Sequence, residues 1–119
     1  MLKLLTVLSA LIMSAPAMAH DATAKHGGRV ADAGDYHVEL VAKKDMIEVY
    51  VTDQNDAPVA AAGFKGLAIL SVDGKSQRIV LEATESGKLT GKANGTLPAE
   101  PKGVVQITTP KGQSVSAKF

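Results

Sequence analysis

The sequence contains no cysteine, and this absence excludes several kinds of chemistry. There is no disulfide to brace the fold, no thiolate ligand for a metal ion and no cysteine nucleophile or redox pair. A stable domain must therefore depend on its hydrophobic core, and a chain of 119 residues is long enough to form one core in a single domain.

The sequence also has few aromatic residues and almost no net charge. The chain has no tryptophan, two tyrosines and two phenylalanines, so its core must be aliphatic and it offers few surfaces on which sugars or bases stack. Thirteen basic residues stand against twelve acidic ones, and without Lys3 the counts are equal. No basic patch or basic amphipathic helix indicates binding to nucleic acid or to a membrane surface.

The first nineteen residues have the order of a secretory signal peptide. Lys3 provides a positive start, Leu4 to Met13 are mainly apolar, and Ala17 to Ala19 form a small-residue cleavage site. The apolar run has only about half of the roughly twenty residues that a membrane-spanning helix needs. We therefore predict that residues 1–19 are removed on export and that no membrane span is left, a retained anchor being the alternative.

The rest of the chain has the alternating pattern of β-strands. Apolar and polar residues alternate in 36–42 and in 46–53, and turn signals such as Asp73-Gly74 recur every eight to twelve residues. No stretch has the 3.6-residue period of a helix. We predict an all-β domain over residues 29–119, a small antiparallel β-sandwich of seven to nine short strands, Ig-like or similar, with a small closed barrel as the alternative.

Strand registers can be predicted from side-chain pairing, because a slip of one residue turns every side chain to the other face. In the first hairpin, a three-residue loop at 33–35 places Val30 opposite Val38, whereas a two-residue loop at 33–34 mixes the faces. We therefore predict the three-residue loop.

The next hairpin and a later strand have clearer patterns. Pairing Ala42 with Ile47 in the next hairpin places Glu39 beside Tyr50. The later segment 67–72 is apolar throughout and is predicted to be buried on both faces.

The sequence argues against catalysis. It has no Gly-x-Ser-x-Gly elbow, no phosphate-binding loop and no His-Glu-x-x-His helix, and its carboxylates are scattered over turns. We predict that the protein is not an enzyme and binds no organic cofactor.

Metal binding through histidine is the sharper hypothesis. Residues 20–28 are interpreted as a mobile arm, and cleavage after Ala19 would make His20 the first residue. Its α-amine and imidazole could then chelate one copper or zinc ion, since imidazole is a common ligand of both. His26 is close enough in sequence to fold back onto this ion, and Asp21 could add an oxygen. The alternative is that His20 stays solvated beside the cleavage site.

His37 is a weaker third ligand. It points outward next to Glu39, and His26 in a plain hairpin would extend opposite Ala42, roughly 16 Å away at 3.3 Å per residue. Only a break at Gly27-Gly28 could bring the two histidines together; otherwise His37 is an ordinary exposed strand residue. Met46 is the one methionine left after cleavage, which argues against a thioether-rich Cu(I) site.

Several short motifs resemble the N-terminal segment of heavy-metal efflux adaptor proteins of the resistance-nodulation-division (RND) type, and small secreted proteins related to them. The likeness covers residues 26–63 and rests on His26-Gly27-Gly28, Tyr36 to Val41, Ile47 to Val51 and the Asp-rich turn ending at Pro58. It implies a periplasmic location in a Gram-negative envelope and a role near copper, zinc, cobalt or silver efflux. An RND-type adaptor or another envelope protein is the partner it implies.

A thinner likeness is to periplasmic copper-resistance sandwiches that begin with histidine after signal removal. Only His20 carries over, because the chain has no Asp-x-His near its C-terminus and no Met-rich loop. The rival hypothesis is a structural module that docks onto an efflux or envelope partner without binding metal. Its surface would be the sheet edges and the outward rows that contain His37, Glu39, Glu48 and Tyr50.

Overall fold

The computed structural model describes residues 24–119, and these residues form strands and turns without any helix. The predicted signal peptide and the beginning of the arm, including His20 and Asp21, lie outside the described residues. Within the described range, no helix is long and apolar enough to cross a membrane. The strands are β1 (Arg29–Ala33), β2 (Tyr36–Lys43), β3 (Met46–Thr52), β4 (Lys65–Val72), β5 (Lys75–Ala83), β6 (Leu89–Lys92), β7 (Gly103–Thr108) and β8 (Ser114–Lys118).

All strand pairs are antiparallel, and the prediction of an all-β fold with seven to nine short strands is confirmed. The strands form one sheet in the order β1-β2-β3-β6-β5-β4-β7-β8. Strand β5 joins the two halves of this sheet. Its residues 75–81 pair with β4, and its residues 82–83 pair with β6. On the opposite side β1 contacts β8. The sheet is therefore nearly closed around a core that both halves share.

The core is aliphatic, as the scarcity of aromatic residues predicts. Inward-facing side chains from all eight strands contribute to it. Phe64 covers the core from a loop, and its ring is perpendicular to that of Tyr36, with the two ring centroids 5.8 Å apart. The largest fully buried side chains are Ile47, Leu70, Leu81, Leu89 and Ile107, followed by Val38, Val49, Val72 and Val105.

The predicted register of the first hairpin is wrong by one residue. Ala33 pairs with Tyr36, so the loop has two residues, and Val30 lies opposite Glu39 rather than Val38. The inward set of β1 is made of alanines, and Ala33 is completely buried. Alanine is a weaker marker of the core than valine, so the sequence pattern of β1 predicts that Val30, rather than the alanines, faces the core. In the structure, Val30 lies on the outer face of the sheet.

The register between β2 and β3 is confirmed. Ala42 pairs with Ile47 and Glu39 with Tyr50. The ladder continues to the pair Lys43–Met46, which leaves a two-residue turn at Lys44-Asp45. Two long alternating strands specify this register because any slip would move a whole apolar set into solvent.

The prediction that 67–72 is buried on both faces is wrong. Ala68 and Leu70 face the core and are fully buried, whereas Ile69 between them is 38% exposed. Burial on both faces requires a second layer outside the sheet, and none of the described residues forms one over β4.

Gly91 in β6 lies close against β5. A Cβ atom there would lie 2.7 Å from the carbonyl oxygen of Val80 and 2.8 Å from Cγ2 of Ile79. We expect Gly91→Ala to lower the free energy of unfolding by about 1–3 kcal/mol through overpacking, measured by urea denaturation. Ser116→Ala, at an exposed strand position, is the control and should change it by less than about 0.5 kcal/mol. Equal midpoints for the two variants would contradict this packing.

Candidate functional site

Two carboxylates on the outer face of the sheet are buried. Glu39 in β2 and Glu48 in β3 point away from the core, yet they are only 6% and 8% exposed. A buried charge is costly unless hydrogen bonds or opposite charges compensate it. The surroundings of these two residues therefore define the candidate site.

Residues 25–28 fold back over Glu39 and supply its partners. The backbone amide of Lys25 donates to Oε1 at 3.1 Å, and the amides of His26 and Gly28 donate to Oε2 at 2.8 and 2.9 Å. The reversal occurs at Gly27, whose φ of 78° suits glycine. The chain therefore does break at the glycine pair, which is the condition that the sequence sets for bringing His26 back toward His37.

Gly28 has to be glycine because the backbone passes so close to β2. A Cβ atom there would lie 2.8 Å from Cγ2 of Val41. Residues 25–28 thus lie directly on the outer face of the sheet, and they are what buries Glu39.

The imidazole of His26 completes the shell around Glu39. Its Nδ1 lies 2.9 Å from Oε1 of the carboxylate. Burial by itself would raise the pKa of Glu39, but the hydrogen bonds from the His26 ring and from the three amides outweigh it, so the pKa is lowered. An ionised carboxylate only accepts hydrogen bonds, so Nδ1 must carry the hydrogen. In the neutral ring the lone pair is then on Nε2.

Tyr50 provides a flat surface for the His26 ring. The two rings are parallel within 4°, with their centroids 3.5 Å apart, and the side chain of His26 remains 42% exposed. The Tyr50 hydroxyl donates to Oε2 of Glu48 at 2.6 Å. The histidine is therefore held on one face and at one nitrogen.

Glu48 is compensated by side chains. Lys43 and Lys88 place their Nζ atoms 3.0 and 3.2 Å from its oxygens. The bond from Tyr50 is the main cause that lowers the pKa of Glu48 to about 2, against the opposing effect of burial and with help from both lysines. The same bond to Glu48 raises the pKa of Tyr50.

His37 lies in a separate pair. Its Nδ1 is 2.7 Å from Oδ1 of Asp32, and its Nε2 is 3.8 Å from Oδ1 of Asp56. It pairs with Thr52, but its side chain is only 15% exposed, so it is not the ordinary exposed strand residue that was the alternative prediction. The one-residue change in the first register is what places Asp32 beside it.

The structure thus brings His26 back onto the sheet but holds His26 and His37 on different carboxylates. His26 does not extend opposite Ala42, as a plain hairpin would require. Among residues 24–119, no three histidine or carboxylate side chains form a group that could hold a metal ion by themselves.

The sequence reasoning missed the roles of Glu39, Asp32 and Asp56. One signal was available for Glu39: an acidic residue between two core positions of a strand, next to a His-Gly-Gly segment that can reverse direction. Nothing in the sequence pointed to Asp56, which reaches His37 from a turn.

An open groove of about 400 Å³ runs beside the stacked rings. His26 and Tyr50 contribute to one wall, and the segments 58–60 and 86–87 contribute to the others. The exposed side of His26 is therefore accessible to small ligands.

The lowered pKa of Glu48 has a consequence for acid stability. The folded protein binds a proton at Glu48 less readily than the unfolded chain, whose value is near 4.5. Its stabilising contribution is thus complete above that pH and is lost as the pH falls toward about 2. We expect Glu48→Gln to destabilise the protein by about 1–3 kcal/mol at neutral pH and to flatten this acid dependence, measured by urea denaturation at pH values across the range. An acid dependence equal to that of the wild type would contradict the assignment.

No family model, curated protein or solved structure matches this chain. The resemblance to efflux adaptor proteins consequently rests on the motifs in residues 26–63.

Proposed function

We propose that the protein is a periplasmic metal-binding accessory of heavy-metal efflux, and that it holds a copper or zinc ion through His20 and His26, with His37 as a weaker third ligand. The signal-like N-terminus and the adaptor-like motifs support the location and the pathway. The geometry of the two described histidines supports the chemistry.

The observation that carries the proposal is the pairing of His26 with Glu39. Nδ1 faces a buried carboxylate at 2.9 Å, which leaves Nε2 with the lone pair on a ring that is 42% exposed. Histidines that bind metal ions usually donate their other ring nitrogen to a carboxylate or carbonyl group, because this fixes the tautomer and makes the ligand more basic. His26 has this arrangement with Glu39.

His37 has a related arrangement. The carboxylate of Asp32 lies within hydrogen-bond distance of Nδ1, and Nε2 lies 3.8 Å from Oδ1 of Asp56. This separation is too long for a hydrogen bond. It is a few tenths of an ångström longer than the roughly 3.3–3.6 Å between two tetrahedral ligands of one zinc ion that are each bonded at roughly 2.0–2.2 Å, so a small shift would let both bind one ion. We assign His37 as the weaker ligand because its side chain is less exposed than that of His26.

His20 would supply the remaining ligands. It lies six positions before His26, a length of chain that spans at most roughly 20 Å when fully extended. After cleavage at Ala19, both its α-amine and its imidazole would be within reach of His26. An α-amine with a pKa near 8 readily gives up its proton to such an ion.

The test is a calorimetric titration of Cu(II) and Zn(II) into the mature protein that starts at His20. We expect micromolar or tighter binding, weakened at least tenfold by an alanine placed before His20 and by His26→Ala, and less by His37→Ala. Gln77→Ala, a change on the other half of the sheet, is the control and should bind like the wild type. Equal, weak binding by all these proteins would contradict the proposal. The intact mass of the exported protein tests the cleavage after Ala19.

An interaction module without a metal is the second candidate, and one observation favours it. Val80 on the outer face of β5 is 67% exposed, and the neighbouring outward residues of β4 and β7 include Leu67, Ile69 and Val104. Exposed apolar side chains that lie together are typical of protein contacts. The partner would be an efflux adaptor protein.

This second candidate predicts that Val80→Asp weakens binding to a purified efflux adaptor protein at least tenfold, measured by calorimetry. The matched control is Ser76→Asp, an exposed residue on the same face of β5, which should bind normally. An adaptor that binds both variants and the wild type equally would exclude this surface.

A further inference from the structure

We propose that Glu39 is a positioning residue that couples the docking of residues 25–28 to the presentation of His26 as a ligand through Nε2. The metal-binding part of this inference rests on the proposed function. The docking and the tautomer rest on the geometry around Glu39.

Glu39 uses both of its oxygens for this segment. Oε1 accepts from the amide of Lys25 and from Nδ1 of His26, while Oε2 accepts from the amides of His26 and Gly28. A carboxylate has about four lone-pair sites, so these four donors use its full capacity. One side chain therefore holds the backbone of the segment and the imidazole at the same time.

The His26 ring is restrained at three points. Its own backbone amide and its Nδ1 are bonded to Glu39, and one ring face is stacked on Tyr50 at 3.5 Å. Tyr50 is in turn anchored by its hydroxyl on Glu48 at 2.6 Å. The direction of Nε2 is thus determined by the sheet rather than by the flexible side-chain torsions of the histidine.

A ligand at Nε2 would act back on the segment through the same carboxylate. A cation bound there withdraws electron density from the ring, which makes the Nδ1 hydrogen more acidic and strengthens its bond to the ionised Glu39. Thermodynamic coupling is reciprocal. If the contact between Glu39 and the segment favours metal binding at His26, then bound metal must strengthen the contact between Glu39 and the segment to the same extent. Metal binding and docking of residues 25–28 should therefore stabilise each other.

The first experiment uses no metal. In Glu39→Gln, the side-chain amide has only one oxygen and presents its own donors to the donors of the segment. We expect the nitrogen chemical shifts of the His26 ring, recorded where the ring is neutral, to show the Nδ1–H tautomer in the wild type and a mixture in the variant. Exchange of the amide hydrogens of His26 and Gly28 should become at least tenfold faster.

A matched control is available in the second histidine–carboxylate pair. Asp32→Asn should alter the tautomer of His37 and leave His26 and the exchange of Gly28 unchanged. In Glu39→Gln, conversely, His37 should keep its wild-type shifts, which shows that the variant is folded. An unchanged His26 tautomer with unchanged amide exchange in Glu39→Gln would overturn the inference.

The second experiment adds Zn(II) or Cu(II). Affinity for the mature Glu39→Gln protein should be 10- to 100-fold lower than for the wild type, as is typical when the partner of a metal-bound histidine is removed. A measurement on the wild type avoids any question of whether a variant folds. Zn(II) should slow the exchange of the Gly28 amide in this protein. A wild-type protein whose Gly28 exchange is unaffected by bound Zn(II) would overturn the coupling.

The two proposals can fail separately. If the tautomer and the exchange respond to Glu39→Gln but the wild type binds neither ion, the metal function is overturned and the positioning role of Glu39 is supported. If both proteins bind the ions equally well, the coupling is overturned and the metal function is supported.

Discussion

The buried carboxylate of Glu39 is the constraint on which the candidate site depends. It points away from the core, and a charge in that position must either stay in water or gather donors of its own. Residues 25–28 supply four donors, and in doing so they become part of the folded surface. The position of His26 against Tyr50 follows from this single interaction.

The two halves of the sheet differ in what they present outward. The half with β2 and β3 carries a polar network, in which Glu48 is compensated by Tyr50 and two lysines in the way that Glu39 is compensated by backbone amides. The half with β4 and β5 exposes Ile69 and Val80 instead. We propose the first surface for ion binding, and the second is the one that the alternative proposal of a protein contact uses.

Predictions from the sequence were most accurate where neighbouring residues alone determine the geometry. The register of β2 and β3 follows from two long alternating patterns. The Asp73-Gly74 hairpin also forms as predicted, with both residues at positive φ, which this pair tolerates. The predictions failed for β1, whose core residues are alanines, and for β4, whose outer face has no covering layer. In both cases the burial of a residue depends on distant parts of the chain.

The amino-acid sequence by itself determined the all-β class, the strand alternation and the histidines that are worth considering. Only the tertiary structure decided which carboxylate each described histidine meets. Glu39 is thirteen residues from His26, and the contact exists because the backbone reverses at Gly27 and the strand turns that carboxylate outward. A reversal at one residue can point a chain in many directions, and the choice among them is made by the hydrogen bonds available on the surface it meets.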